Sequence, residues 1–447
     1  MKKRHIIILG AGISGLSAAW YLSRSDPCVD ISVIEKSDRV GGWLHTEYTS
    51  DFLFEKGPRT FRADKSRAMV QLIEDVGLSD QIIASQEKSP HRYLWHEGQL
   101  RRFPQNPFAF CTSPLTRGLV TALFSEWRKP IKEGDETVWE FVLRRFNYEA
   151  ARFFFDPLVV GIFGGDLREI SMRACFPLLK GWEEKYGSVT KGFWKDKGKA
   201  QPSISGLAPS ALFSFKKGVE ELPQALKIKT PATYHLNQEV QRIAMKDNKV
   251  EVTTQDRIYH GDALFCALPI KETLQLFEPL VPDISKEWLK VPSLGIAVLN
   301  VGYDRQVLPV QGFGYLVPTY AEEEIRGVVF DSSLFPEQNR QREETRLTIK
   351  FEERGREETW YIEKALRGIR KHLGISESPR AFSFKRAIRA IPQYGVGHLE
   401  KMASLKEEFS KRLPRCFLVG NYLTGVSVDQ CIQQAKQSVS DWEKSAL

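Results

Sequence analysis

A chain of 447 residues, 42% hydrophobic and 27% charged, is long enough for two or three domains around a sizeable core, which excludes a disordered or fibrous protein. Its net charge of +8 is dispersed along the sequence, which suits an anionic small molecule or lipid surface and lacks the clustered basic stripe of a nucleic-acid binder. Six scattered cysteines without a CxxC pair, and eight histidines without ligand spacing, predict a reduced, metal-free, intracellular protein. Lys2-Lys3-Arg4 precedes only a short apolar run, too short for a signal peptide, and no stretch approaches the roughly eighteen apolar residues that span a bilayer.

The first element is that apolar run, His5 to Leu9, which leads into Gly10-Ala11-Gly12-Ile13-Ser14-Gly15 and an alanine-rich segment. This spacing predicts strand, tight turn and helix: Gly10 permits the turn, Gly12 lets a pyrophosphate approach the backbone, and Gly15 lets the helix lie close on the strand. The N–H groups at the helix start then face the anion. A second strand, Asp30 to Ile34, ends in Glu35, placed where an acid suits a ribose hydroxyl. Residues 5–36 are therefore expected to form a dinucleotide-binding βαβ unit. Gly41-Gly42-Trp43 and Phe54-Glu55-Lys56-Gly57-Pro58-Arg59 follow, a continuation rare in nicotinamide folds.

Residues Ser66 to Val76 carry a helical apolar pattern that stops at Gly77, and Tyr93 to Leu100 suggest a small hairpin. From Arg102 to about residue 185 the chain is aromatic and helical in pattern, clearest at 119–129 and 138–146, which predicts an inserted helical domain suited to lipid headgroups. Residues 191–209, rich in lysine and breakers, are expected to form a mobile loop. Phe213 to Pro223 returns to strand, turn and helix, followed by short strands at 233–236, 239–243 and 250–253 and a buried strand from Ala263 to Pro269. Strands at 294–303, 314–317 and 326–331 and a helix at 361–373 come next. The chain closes with a strand at 415–422 and a helix at 428–440, whose start offers N–H groups and a positive dipole end to a cofactor.

These residues together resemble the FAD-dependent, oxygen-using protoporphyrinogen oxidases of the flavin amine oxidase-like superfamily. The likeness rests on Gly10–Gly15, Val40–Trp43 and Glu55–Arg59, on Gly161–Asp166 with Arg173–Pro177, and on Ser214–Gly218. Asp331–Pro336, Ile391–His398 and Gly420–Tyr422 with Gly425–Val428 extend it over nearly the whole chain. It implies an α/β fold with a Rossmann-like FAD domain built from separated segments (1–66, 211–290 and 396–447), a mixed-sheet substrate domain (67–102 and 291–395) and a helical, membrane-associating domain (103–210). It implies FAD held by Gly10, Ala11, Gly12, Ile13, Ser14, Gly15, Glu35, Lys36, Arg39, Gly41, Gly42 and Trp43. The remaining cofactor contacts it implies are Gly57, Pro58, Arg59, Thr60, Val240, Gly420, Asn421, Val426, Ser427 and Val428. For substrate it implies Arg59, Gly165 and Phe335, with Arg59 set against a propionate. Two residues depart from the pattern: Thr60 stands where glycine is common, and Lys350 where an apolar residue is expected near the pocket.

The activity so implied is oxidation of protoporphyrinogen IX to protoporphyrin IX, six electrons in three two-electron flavin steps, with dioxygen reduced to hydrogen peroxide and no catalytic protein side chain required. The Gly312/Gly314 and Gly395/Gly397 pairs lack a third glycine, so a second dinucleotide site for an NADPH-reduced monooxygenase is not expected. The alternatives are coproporphyrinogen III oxidation, an amine oxidase, a carotenoid desaturase, and a non-enzymatic flavin scaffold. The expected partners are the porphyrinogen, oxygen, membrane lipid, a second copy of the chain and a ferrochelatase. The expected location is the cytoplasm or the cytoplasmic side of a membrane.

Overall fold

The run Arg4–Leu9 is the middle strand of a five-stranded parallel sheet in the computed structural model, which describes residues 3–86, 91–104, 106–196, 207, 211–288 and 290–445. Val29–Ile34 pairs with it on one side and Ala263–Cys266 on the other, with Thr233–His235 and Cys416–Leu418 at the edges. Ile6, Ile7, Ile8 and Leu9 are all wholly buried, because both faces of the sheet are covered; this is why the strand is continuously apolar. Ile6 and Ile8 pack with the helices Ile13–Ser25, Arg67–Asp75 and Val428–Ser445. Ile7 and Leu9 pack with the antiparallel ribbon of 240–261 and the helices Ile270–Phe277 and His398–Arg412. The helix Arg67–Asp75, expected within the substrate unit, thus packs on the dinucleotide sheet, and Asp429 accepts the Met69 N–H at 2.9 Å.

A second, seven-stranded mixed sheet is ordered Ala381–Pro392, Ser293–Tyr303, Thr345–Glu352, Ile325–Phe330, Gly314–Leu316, Arg92–His96 and Gln99–Arg102. Its long strands alternate. Ala297, Leu299, Val301, Leu347 and Ile349 face a core closed by the helix Glu358–Leu373, whereas Ile296, Val298, Asn300, Thr348 and Lys350 face the other way. The expected hairpin is present, with Glu97 and Gly98 both at positive φ (50° and 72°) as a two-residue turn of this hand demands.

Residues 107–196 are helical and pack around their own core, including Phe141, Val142, Phe155 and Val159. Glu126, Arg145, Lys180 and Glu183 form a buried ionic network within it. A π-helical turn at Ala151–Phe155 joins the short helix Tyr148–Ala150 to Asp156–Phe163, the kind of irregularity common at functional sites. Of the loop expected at 191–209, Lys191–Asp196 complete the helix Val189–Asp196, with Trp182 packed on Gly192; residues 197–206, 208 and 209 lie outside the described residues. The chain is therefore mixed α/β, with a Rossmann-like unit assembled from separated segments, a mixed sheet and an inserted helical region. No helix among the described residues is long and apolar enough to cross a membrane.

Candidate active site

The strand Arg4–Leu9 ends at Gly10 (φ 92°), whose N–H donates to Ile34 O at 2.8 Å. A Cβ on Gly15 would stand 1.9 Å from the Gly10 carbonyl oxygen, so the helix lies on the turn as closely as a missing side chain allows. Gly12 is different: a Cβ there would meet nothing within 4 Å. The helix has no side-chain cap at Gly12, and the N–H groups of Ile13 and Ser14 have no partner among the described residues. Open space in front of uncapped N–H groups is an anion cradle.

The Gly41-Gly42 loop closes over this cradle. Gly41 N–H donates to Ala11 O at 2.8 Å, and both glycines hold positive φ (109° and 57°). Arg39 pins the loop from below, donating to Val40 O at 2.9 Å and Gly42 O at 2.6 Å. Glu35 accepts Ala11 N–H at 2.7 Å and the Ser37 N–H and hydroxyl at 3.0 and 2.9 Å. Lys36 is exposed beside it, and Val240 is half-buried at the start of its strand. A Cβ on Gly57 would collide with Trp43 O, 2.0 Å away, so the Gly57-Pro58 turn presses on the Gly42-Trp43 backbone. The Thr60 hydroxyl is buried with no partner among the described residues. At the far end, Ser427 caps the helix Val428–Ser445: its hydroxyl accepts Gln430 N–H, and Gln430 Oε1 accepts Ser427 N–H, both at 3.2 Å. That reciprocal cap leaves the Val428 and Asp429 N–H groups pointing out of the helix start. A dinucleotide fits this donor set: an open anion cradle, a nearby acid and a buried unpartnered hydroxyl.

A cavity of about 330 Å³ adjoins these loops. Its cofactor side is Trp43, Gly57, Pro58, Asn421, Val426 and Ser427, and its floor is the outward face of the mixed sheet, Ile296, Val298, Leu316, Lys350, Ala387 and Ile391. Val160, Gly161, Ile162 and Gly164, from the helix after the π turn, close it from the helical region. Four cations among the described residues line it. Lys56 pairs with Glu47 and donates to Ser383 at 2.7 Å, and Arg326 pairs with Glu352 at 3.3 Å. Arg59 is buried, paired with Asp331 at 3.1 Å, bonded to the Thr348 hydroxyl, and donating to Glu55 O and Gly57 O at 3.1 and 3.3 Å. The Lys350 ammonium has no hydrogen bond or ion pair among the described residues; the side chain is half-buried at the cavity wall, and desolvation there, with Arg59 adding to it and Asp331 opposing, pushes the ammonium down to about 8.

The structure brings Gly12, Gly41, Gly42, Trp43, Gly57 and Pro58 together and sets Asn421, Val426 and Ser427 on the adjoining cavity, whereas Lys36 is exposed and Val240 lies on the separate antiparallel ribbon; Arg59 reaches the cavity with its guanidinium engaged by the protein. Gly165 lies just outside the lining, packed on Gln393, whose Oε1 a Cβ would meet at 1.9 Å. Phe335 is buried in a separate apolar cluster with Ile83, Val329 and Leu334. Asp331, Thr348 and Asn300, which complete the polar cluster around Arg59, have no local sequence signal; they are assembled only by the second sheet.

A family model described as flavin containing amine oxidoreductase matches residues 13–441. The chain belongs to this family. It is an FAD-dependent oxidoreductase. The protoporphyrinogen oxidase of Homo sapiens is 29% identical over 465 residues, 97% of each chain, and the coproporphyrinogen III oxidase of Staphylococcus aureus is 24% identical over 98% of each. A crystal structure of an Exiguobacterium sp. 255-15 protein shares the fold, with a TM-score of 0.86 at 22% identity and 99% of each chain covered.

Two outcomes follow from the cradle. Gly12→Val leaves the fold intact, because its Cβ enters open space, yet yields colourless protein; Gly15→Val disrupts folding itself, because it meets the Gly10 carbonyl. Flavin absorbance and thermal unfolding of the two variants separate these cases, and a yellow Gly12→Val protein contradicts the cradle.

Glu55 supplies a pH test. Its carboxyl is fully buried, and burial pushes it up to about 7 against the lowering pull of the Val219 N–H, Arg59 and Thr46. Between about 4.5 and 7 the folded chain therefore holds a proton the unfolded chain has released, so stability falls as pH rises through that window, by up to about 3 kcal/mol. Glu55→Gln removes the fall: relative to wild type its melting temperature rises between pH 5 and pH 8. A difference independent of pH contradicts the assignment.

Proposed function

We propose that the enzyme oxidises protoporphyrinogen IX to protoporphyrin IX. The observation that carries this reading is the end-to-end likeness to a protoporphyrinogen oxidase, joined to a largely apolar cavity that opens on the flavin cradle and is lined by cations. FAD, when bound, supplies the two-electron acceptor; three such transfers to dioxygen account for the six electrons and yield three molecules of hydrogen peroxide. The protein's own work is binding. The Ile13 and Ser14 N–H groups and the closed glycine loop hold the cofactor's pyrophosphate, Glu35 its ribose, and the start of the helix Val428–Ser445 favours negative charge beside it. Ile296, Val298, Leu316 and Val160 would pack against one face of the macrocycle. Glu352, the sole carboxylate in the described lining, is held by Arg326 and Arg354, both at 3.3 Å, so the pyrrole protons leave to water.

We assign the cofactor unit to residues 3–84, 211–288, 290 and 396–445, the substrate unit to 91–102 and 291–395, and the helical unit to 103, 104 and 106–196. The helical unit is further assigned to a membrane surface. Phe108, Phe124, Trp127, Phe193 and Trp194 are exposed on it, and Arg128 and Lys191 lie over the Trp127 ring, a mixture of aromatic and basic groups that suits anionic headgroups.

Purified, FAD-loaded protein, offered protoporphyrinogen IX and coproporphyrinogen III side by side, is expected to give porphyrin fluorescence faster with the first, with three peroxides per porphyrin. Preference for the tetracarboxylate selects the coproporphyrinogen reading instead. Replacing Phe124, Trp127 and Trp194 together by Ser is expected to weaken sedimentation with phosphatidylserine vesicles by more than about a hundredfold. Wild-type protein that ignores such vesicles contradicts the membrane assignment.

A further inference from the structure

The oxidation just proposed leaves open which group seats the substrate's carboxylate. Arg59 is the obvious cation from sequence, but its charge is already matched by Asp331, and its donors reach Thr348 and two backbone carbonyls. Lys56 and Arg326 are likewise matched, by Glu47 and Glu352. An incoming carboxylate would have to break each of those pairs before gaining anything.

Lys350 is placed differently. It stands on the strand Thr345–Glu352 between Val298 and Gly327, its register partners on the flanking strands. Period-two alternation turns Ile349 into the core beneath the helix Glu358–Leu373 and turns Lys350 to the cavity floor. Gly327 carries no side chain to shield it, and Val298 offers no polar atom. An ammonium held half-buried against apolar neighbours with no counter-ion is poorly placed for a structural role. The charged groups acting on it, Arg59 and Asp331, are themselves a pair and largely cancel. What stabilises such a cation is an anion delivered with the ligand.

Resting on the reading above, we propose that Lys350 binds a propionate of the porphyrinogen, holding one edge of the macrocycle against the sheet while Arg59 serves as an internal brace. The same ammonium repels protonated amines, and so turns a site of the amine oxidoreductase family toward carboxylate-bearing substrates. The contact is one charge-assisted hydrogen bond present before and during the oxidation, so its loss acts on KM.

The test compares wild type, Lys350→Met and Lys350→Arg, each checked for flavin content and melting temperature. Protoporphyrinogen IX and its dimethyl ester are the substrates, and quenching on binding of protoporphyrin IX and its dimethyl ester gives an equilibrium readout. Lys350→Met is expected to raise KM for the diacid, and Kd for the free porphyrin, about ten- to hundredfold, and to leave the esters unaffected. Lys350→Arg retains most of the preference for the acid. An unchanged acid-to-ester ratio in a folded, FAD-replete Lys350→Met protein overturns the proposal, as does a fall in kcat for acid and ester alike with KM unmoved. Failure of wild type to oxidise any porphyrinogen, with Lys350-dependent binding of the diacid intact, sinks the function proposed above and leaves this site standing.

Discussion

The Arg59 guanidinium is the point at which the two halves of the site are tied together. It extends from the Gly57-Pro58 turn, which presses on the Trp43 backbone of the neighbouring loop, and reaches Thr348 on the mixed sheet and Asp331 at the start of the short helix that follows the strand Ile325–Phe330. Asn300 joins the same cluster, donating to Glu55 O at 3.2 Å. Removing the guanidinium would leave Asp331 buried and unpaired, a loss of about 3–5 kcal/mol by the measure of other buried pairs. The spacing between cradle and cavity floor depends on this brace. So does the cavity's electrostatics, because a matched Arg59 leaves Lys350, among the described lining residues, as the cation proposed to take an anion.

Around that brace the labour is divided by chemistry. In the proposed reading the backbone would hold the cofactor through N–H groups at helix starts and glycines that permit close approach, with Glu35 the charged side chain among the contacts. The outward face of the mixed sheet supplies an apolar floor whose other side is a helix-covered core, so the floor is rigid. The π turn at Ala151–Phe155 resets the phase of the helix that follows, and that helix supplies Val160 and Gly161 to the cavity. A Cβ on Gly161 would meet Leu316 at 2.9 Å, which shows how tightly the helical region sits on the sheet there.

The turns and helix start of the proposed cofactor half were legible because their signals are local. Gly10, Gly12 and Gly15 fall within six residues, Glu35 is one strand away, and each needs only its own neighbours to act. The substrate half was not, because it is made by register. Arg59 could be placed at the cavity, yet its partners Asp331 and Thr348 lie 272 and 289 residues further on, and nothing near Gly-Pro-Arg announces them. Lys350 appeared only as a departure from pattern; the strand that carries it, Thr345–Glu352, alternates regularly yet was not recognised as a strand, and its neighbour but one, Ala381–Pro392, is obscured by its charged residues. The helix His398–Arg412 was missed for the same reason: most of its surface is charged, and few positions, Met402, Leu405 and Phe409 among them, reach the core. Phe335 was assigned to substrate by likeness alone, and the fold spends it on a separate apolar cluster.

The central claim is that the cavity delivers a porphyrinogen directly to the flavin. Anaerobic mixing of the yellow, FAD-loaded protein with protoporphyrinogen IX tests it most directly, by following the oxidised flavin absorbance before any oxygen is admitted. The account predicts bleaching in step with the appearance of porphyrin precursors, and return of the yellow colour on admitting air. Flavin that stays oxidised under excess porphyrinogen, in protein whose flavin dithionite still bleaches, would contradict it.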